Sequence, residues 1–206
     1  MIAHTDEEKD KNYYLDIVKT NNNLLLNLIN DILDLSKIES GHMDLKETVV
    51  NMEELRNEIC HIHQLKALPE VKIIFENPGA SLVFLTDRNR LTQLFSNLIN
   101  NAIKNTTSGS ITIGYKLQGK QIEFFVRDTG KGILKEKQTI IFNRFEKLNS
   151  NIQGFGLGLS ICKSILEKMN GSISLTLKKG KVQSSASRFL IRPIFPNKLN
   201  LKLKSH

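Results

Sequence analysis

Arg90-Leu91-Thr92-Gln93-Leu94-Phe95-Ser96-Asn97-Leu98-Ile99-Asn100-Asn101-Ala102-Ile103-Lys104-Asn105-Thr106 carries two periodicities at once. Leu91, Leu94, Phe95, Leu98, Ile99, Ala102 and Ile103 recur at helical spacing, which predicts a helix with one buried face. Asn97, Asn101 and Lys104 stand at i, i+4 and i+7, so they share one stripe of that helix. Two carboxamides and an ammonium on one stripe suit a hydrated divalent cation on a polyphosphate, because Mg²⁺ keeps several waters and takes few hard oxygen ligands. Any surface helix also shows a polar stripe, so the surrounding sequence must decide.

Three later segments bear on it. Asp128-Thr129-Gly130-Lys131-Gly132-Ile133 follows a strand-like run. A carboxylate at a strand end can accept from an exocyclic amine, and flanking glycines let a planar base approach the backbone; the same letters also make a plain turn. Gly154-Phe155-Gly156-Leu157-Gly158-Leu159-Ser160-Ile161 places three glycines directly before a helix, where unpaired amides bind phosphate. A dinucleotide fold would need a preceding strand and an early βαβ unit, and neither is present. Between them, Ile141-Phe142-Asn143-Arg144-Phe145-Glu146-Lys147 has two aromatics expected to anchor it on the domain, leaving Arg144 and Lys147 to reach a terminal phosphate. Taken alone it also reads as a short amphipathic helix.

The flanks complete a coarse map. Tyr13–Ile38 lacks Gly and Pro, with Val18, Leu25 and Ile32 repeating every seven and Tyr14, Asn21, Leu28 and Leu35 offset by three. That is the seam of a rod of ~39 Å, expected to pack in a bundle or dimer and to stop at Gly41. Strands are expected at Met43–Val50, Val71–Glu76, Leu82–Thr86, Ser110–Lys116, Gln121–Asp128, Ser172–Leu177 and Arg188–Ile191. Helices are expected at Met52–Leu65 and Leu159–Met169, and turns at Asn77-Pro78-Gly79 and Gly119-Lys120. The mixture predicts an α+β fold, a two-layer sandwich of helices over a mixed sheet, preceded by one long helix.

Composition excludes more than it selects. The chain has 206 residues, 40% hydrophobic and 24% charged, which is globular composition. No stretch approaches the ~20 apolar residues of a membrane helix, and the acidic start is not a secretory signal. Cys60 and Cys162 lack a CxxC spacing, so neither a metal site nor a disulfide framework is indicated. The net charge of +8 comes from scattered bases without interleaved aromatics, the pattern of a solvated surface and not of a nucleic-acid footprint.

In order and spacing the four segments resemble the N-box, first glycine box, F-box and second glycine box of sensor histidine kinases, members of the GHKL ATPase superfamily. The family patterns NLxxNAxK, DTGxGI, IFxRF and GxGLGLxI read here as 97–104, 128–133, 141–145 and 154–161. Asp87–Gln93 resembles the approach to the N-box, and Ile32–Gly41 the end of the second dimerisation helix. The likeness covers residues 12 to 180, with a hybrid-kinase flavour.

The resemblance implies a Bergerat-type ATP-binding fold with ATP and Mg²⁺ as cofactors. It implies that Asn101 coordinates Mg²⁺ with Asn97 nearby, that Lys104 touches phosphate, and that Asp128 receives the adenine amine. Gly130 and Gly132 would shape the adenine pocket with Ile133 against the base. Residues 134–154 would form a lid from which Arg144 and Lys147 bear on the γ-phosphate. Gly154, Phe155, Gly156, Leu157, Gly158 and Leu159 would hinge the lid and line the phosphates. It further implies domains at 1–42 (second dimerisation helix, the first absent), 43–196 (catalytic) and 197–206 (basic tail). A dimer mate, a receiver domain and a cytoplasmic setting under a membrane-anchored parent follow from the same likeness, with no nucleic acid and no membrane contact by this chain.

Three departures stand against the pattern. None of His4, His42, His61, His63 and His206 has the acceptor context, so the chain is expected to bind ATP without phosphorylating itself. Asn105 replaces an aromatic at the edge of the pocket. The run Gly180–Phe189 lacks the usual Gly-x-Gly-Ser/Thr-x-Phe turn, leaving a small polar contact behind the adenine in question, with Ser187 and Phe189 keeping the strand pattern; Pro193 is expected to end that strand early. A degenerate nucleotide-binding module and a hydrolytic GHKL ATPase are the alternative functions. The second needs a general-base Glu beside Asn97, where Ser96 stands and the nearest candidate is Glu58.

Overall fold

Asp87 begins the central helix by turning its side chain onto the backbone. Its Oδ1 accepts from Arg90 N at 3.0 Å, the geometry of an N-cap. Its Oδ2 accepts from Lys46 N at 2.9 Å. These bonds belong to a computed structural model that describes residues 3–76, 82–119, 121–147, 154–178 and 184–194. The expected turn at 77–79, Lys120, part of the expected lid (148–153), the run 179–183 and the tail lie outside the described residues.

The chain divides into two compact units, Met1–Met43 and Asp44–His206. The first is α1 (Ala3–Glu39). It starts ten residues before the expected Tyr13, because the Asp/Glu/Lys run ahead of the seam contains no breaker. Ser40 Oγ donates to Ser36 O at 2.8 Å, and Gly41 takes φ +75°, the left-handed stop expected there. Along the seam Val18, Leu25 and Ile32 are each about half exposed.

The second unit runs β1 (Thr48–Asn51), α2 (Met52–Gln64), β2 (Val71–Glu76), β3 (Val83–Thr86), α3 (Arg88–Asn105), β4 (Gly109–Gln118), β5 (Gln121–Asp128), α4 (Gly158–Lys168), β6 (Ser172–Lys178) and β7 (Ser184–Ile191). Five strands form one sheet in the order β2-β4-β5-β7-β6, parallel between β2 and β4 and antiparallel elsewhere. β1 and β3 form a separate antiparallel ribbon, which Ile194 joins through a bridge to Leu85. This is the α+β arrangement of helices over a mixed sheet that the pattern predicts.

Alternation along β5 sets the layers. Ile122, Phe124, Val126 and Asp128 face the helices, and the core forms where Phe124 meets Phe95 of α3 at 5.4 Å and Phe189 of β7 at 5.0 Å. Phe125 points to the opposite face yet is buried. Its ring lies over Gly114, where a Cβ would come within 2.4 Å, and the Arg127 guanidinium stands 5.2 Å from its centre.

Two strands start more than one residue from where they are expected. β1 starts at Thr48, not Met43, because the Lys46 amide is taken by Asp87 and not by a ladder. β7 starts at Ser184, four residues before Arg188, since pairing with β5 carries a serine-rich run of low β-propensity into the sheet. It ends at Ile191, ahead of Pro193 as expected.

His63 of α2 is buried against α3, hydrogen-bonded to Asn100, with its Nδ1 unpaired among the described residues. Burial, and then the Lys66 charge, lower its pKa to about 4, against the pull of the Asn100 bond. The unfolded chain takes up this proton near 6.5 and the fold refuses it, so stability is full above that pH and falls as pH drops towards 4. Urea unfolding of His63→Leu is expected to show a weaker loss between pH 7 and 4.5 than the parent chain, by up to ~1.4 kcal/mol per pH unit.

Candidate active site

The stripe on α3 holds together at its first end through α4. Asn97 Nδ2 donates to Gly158 O at 3.4 Å, joining the stripe to the first turn of α4. Asn97 and Asn101 are half-buried and Lys104 is exposed. A Cβ at Gly154 would lie 3.1 Å from Lys104 Nζ, so the ammonium borders the second glycine segment. Asn100 turns away from this stripe towards His63.

At the second end, the turn after β5 is stapled to the last turn of α3. Lys131 N donates to Asn105 O at 3.3 Å. A Cβ at Gly130 would meet that carbonyl at 2.3 Å, so only glycine permits the approach. Thr129 Oγ1 accepts from Ser110 N at 3.0 Å and fixes the start of β4 to the same turn. Gly132 has φ +68°, and Ile133 is half-buried beside it.

Asp128 ends β5 with its carboxylate buried. Oδ1 accepts from Gly130 N at 3.0 Å, and Oδ2 accepts from the Ser185 hydroxyl. Burial raises its pKa above the ordinary carboxylate value, while the Ser185 and Gly130 bonds hold it down. A small polar side chain therefore stands against the Asp128 carboxylate, and it is Ser185. The register pairs Ser185 with Asp128 and Ser187 with Val126. The serine run 184–187 was the one hint in the sequence.

The aromatic segment departs from expectation. Residues 138–145 form successive turns, not a helix. Ile141 is buried and Phe142 half-buried, but Phe145 is exposed, so Phe145 does not anchor the segment. It takes φ +62°, an uncommon conformation for an aromatic, and its N–H donates to Gly156 O at 3.0 Å. Gly156 (φ +73°) passes so close that a Cβ would come 2.6 Å from Glu146 O. Arg144 and Lys147 are exposed on this segment, as is Phe155 on the next.

α4 begins after Leu157, which is buried, and no side chain caps its first amides. Gly158 and Leu159 open the helix half-buried. Uncapped N–H groups behind a glycine segment fit phosphate. The donors also fit a cation carried in on phosphates: carboxamide oxygens are present, and no group of three or more His, Cys, Asp or Glu forms a cage among the described residues.

Residues 86–193 match the family model described as histidine kinase-, DNA gyrase B-, and HSP90-like ATPase. The chain is 32% identical to hybrid signal transduction histidine kinase L of Dictyostelium discoideum, over 87% of this chain and 11% of that protein. It is 33% identical to the sensor histidine kinase RcsC of Escherichia coli, over 85% of this chain and 19% of that one. The chain thus spans a fifth or less of these two relatives. Among solved structures it resembles the catalytic domain of histidine kinase ThkA (TM-score 0.63, 28% identity, 73% of this chain and 99% of that one). It shares a fold with full-length ShkA in complex with AMPPNP (TM-score 0.76, 24% identity, 91% of this chain and 40% of that one).

Ser185→Ala should raise the Asp128 pKa further, because it removes a bond to the charged form. Ser187→Ala should leave it in place. Titration of the Asp128 carboxyl by NMR in both variants distinguishes the two serines.

Proposed function

The chain belongs to the histidine kinase-, DNA gyrase B- and HSP90-like ATPase family, and from that premise we propose that it is the ATP-binding catalytic domain of a two-component sensor histidine kinase, moving the γ-phosphoryl group to a histidine outside these 206 residues. The observation that carries this reading is that one helix joins both ends of the site. Asn97 holds the start of α4 and Asn105 holds the turn after Asp128, about 12 Å apart along α3.

In this reading Asp128 accepts from the adenine amine. Guanine presents a carbonyl oxygen at that position, which would face the carboxylate oxygen without a proton between them. Gly130 and Gly132 leave room for the base, and Ile133 covers it. Asn101, with Asn97 beside it, supplies carboxamide oxygen to a hydrated Mg²⁺, and Lys104 offsets phosphate charge. Gly154, Phe155, Gly156, Leu157, Gly158 and Leu159 bring the α4 amides to the phosphates, and Arg144 and Lys147 stand over the γ-phosphate. Mg²⁺-ATP supplies the transferable phosphoryl group and part of the charge neutralisation. The side chains contribute position and electrostatics.

The same reading makes 1–42 the second helix of a dimerisation domain, whose seam, half exposed at Val18, Leu25 and Ile32, meets a dimer mate, 43–196 the catalytic domain and 197–206 a basic tail. A receiver domain takes the phosphoryl group onward, and the site works in the cytoplasm beneath a membrane-anchored parent. Among the described residues no helix is long and apolar enough to cross a membrane. A hydrolytic ATPase is disfavoured, since Glu58 is 2.5 Å from Arg88, nine residues before Asn97 on the helix. The glycines, Arg144 and Lys147 favour a competent module over a degenerate one.

Calorimetry with Mg²⁺-ATP should show binding that Mg²⁺-GTP does not reproduce, and Asp128→Asn should abolish it. Equal binding of ATP and GTP, or an unaffected variant, would remove Asp128 as the base reader.

A further inference from the structure

Asn105 completes the carboxamide line on α3, at i+4 from Asn101 and i+8 from Asn97. It is half-buried at the margin between the stripe and the core. Its Nδ2 donates to Asn101 O at 2.8 Å. The partner is a carbonyl, which can only accept, so the orientation of the amide is decided: nitrogen on Asn101, oxygen elsewhere. Among the described residues Oδ1 accepts no hydrogen bond. The backbone of Asn105 is fixed as well, because its carbonyl takes the Lys131 amide and packs on Gly130. A fixed acceptor therefore stands one turn from Asn101 and directly beside the turn that follows Asp128.

We propose that Asn105 is a specificity-determining residue that reads the ribose, accepting a hydrogen bond from one of its vicinal hydroxyls through Oδ1. The inference rests on the ATP reading above, in which Asp128 meets the base and Asn101 faces the cation and phosphates. The sugar is the part of a nucleoside triphosphate between those two ends. Its hydroxyls are donors in need of an acceptor; the Lys104 ammonium offers only hydrogens, and in this reading the Asn101 carboxamide oxygen is given to the cation. An aliphatic or aromatic side chain at 105 would contact the sugar without distinguishing a hydroxyl from a hydrogen. The pre-set carboxamide loses little freedom on binding, so the bond contributes its full modest strength.

The test measures binding of Mg²⁺-ATP, Mg²⁺-2′-deoxy-ATP and Mg²⁺-3′-deoxy-ATP to the full chain by calorimetry, with Asn105→Leu, Asn105→Ala and Asp128→Asn beside it. One deoxynucleotide should bind the parent chain about 3- to 10-fold more weakly than ATP, the worth of one neutral hydrogen bond. That gap should close in Asn105→Leu and Asn105→Ala, with thermal melts reporting whether each variant folds. Equal affinity for all three nucleotides in the parent chain overturns the ribose assignment without any variant. So does a gap that survives in a folded Asn105 variant. A parent chain that binds no ATP overturns the functional reading and this one together. ATP binding that is lost in Asp128→Asn but blind to the sugar overturns this one alone.

Discussion

The carbonyl of Asn105 is where the helical layer and the sheet layer of the site touch. Gly130 approaches it more closely than any side chain would allow, and the Lys131 amide closes the contact. From there the constraint spreads in two directions. Through Thr129 it reaches the start of β4, where Gly109 adopts φ +108° against the threonine hydroxyl. Through the Asn105 amide it reaches the Asn101 carbonyl, one turn back along the stripe. Asp128 and the carboxamides of α3 come from different layers, and this contact fixes their spacing. A displaced turn would leave each group intact and the site dismantled.

On the other side of the site a main-chain contact sets the local geometry. Phe145 and Gly156 are tied by a single main-chain bond, both in left-handed conformations. Such conformations cost of order 1 kcal/mol or more for a side-chain-bearing residue and persist where the surroundings impose them. Here the imposed geometry presents Arg144 and Lys147 on an exposed segment and delivers the chain to an uncapped helix end. Binding polyanions needs such unsatisfied donors, and they are more readily tolerated at a solvent-accessible rim than inside the core.

Much of this was legible in the chain itself. Helical spacing announced α3 and its buried face, alternation announced β4 and β5, and the four segments announced a nucleotide site in the correct order. Each of those signals lies within a few residues of itself. The errors fell where a side chain left its local pattern for a distant partner. β1 reads as starting at Met43, yet Asp87, 41 residues further on, takes the Lys46 amide and shortens it. Phe145 reads as an anchor, yet its amide is drawn to Gly156 and its ring is turned outward.

The sequence by itself determined the secondary structure of the main layers, the stop at Gly41 and the order of the four segments, because periodicity and backbone freedom are short-range properties. Only the tertiary structure decided which serine stands behind Asp128, that Asn100 serves His63 and not the stripe, and that the end of α3 holds the turn after β5. Ser185 and Ser187 are equivalent by composition and alternation. The choice between them is a strand register across 57 residues of chain, set by the fit of Phe124 against Phe189 and not by either serine.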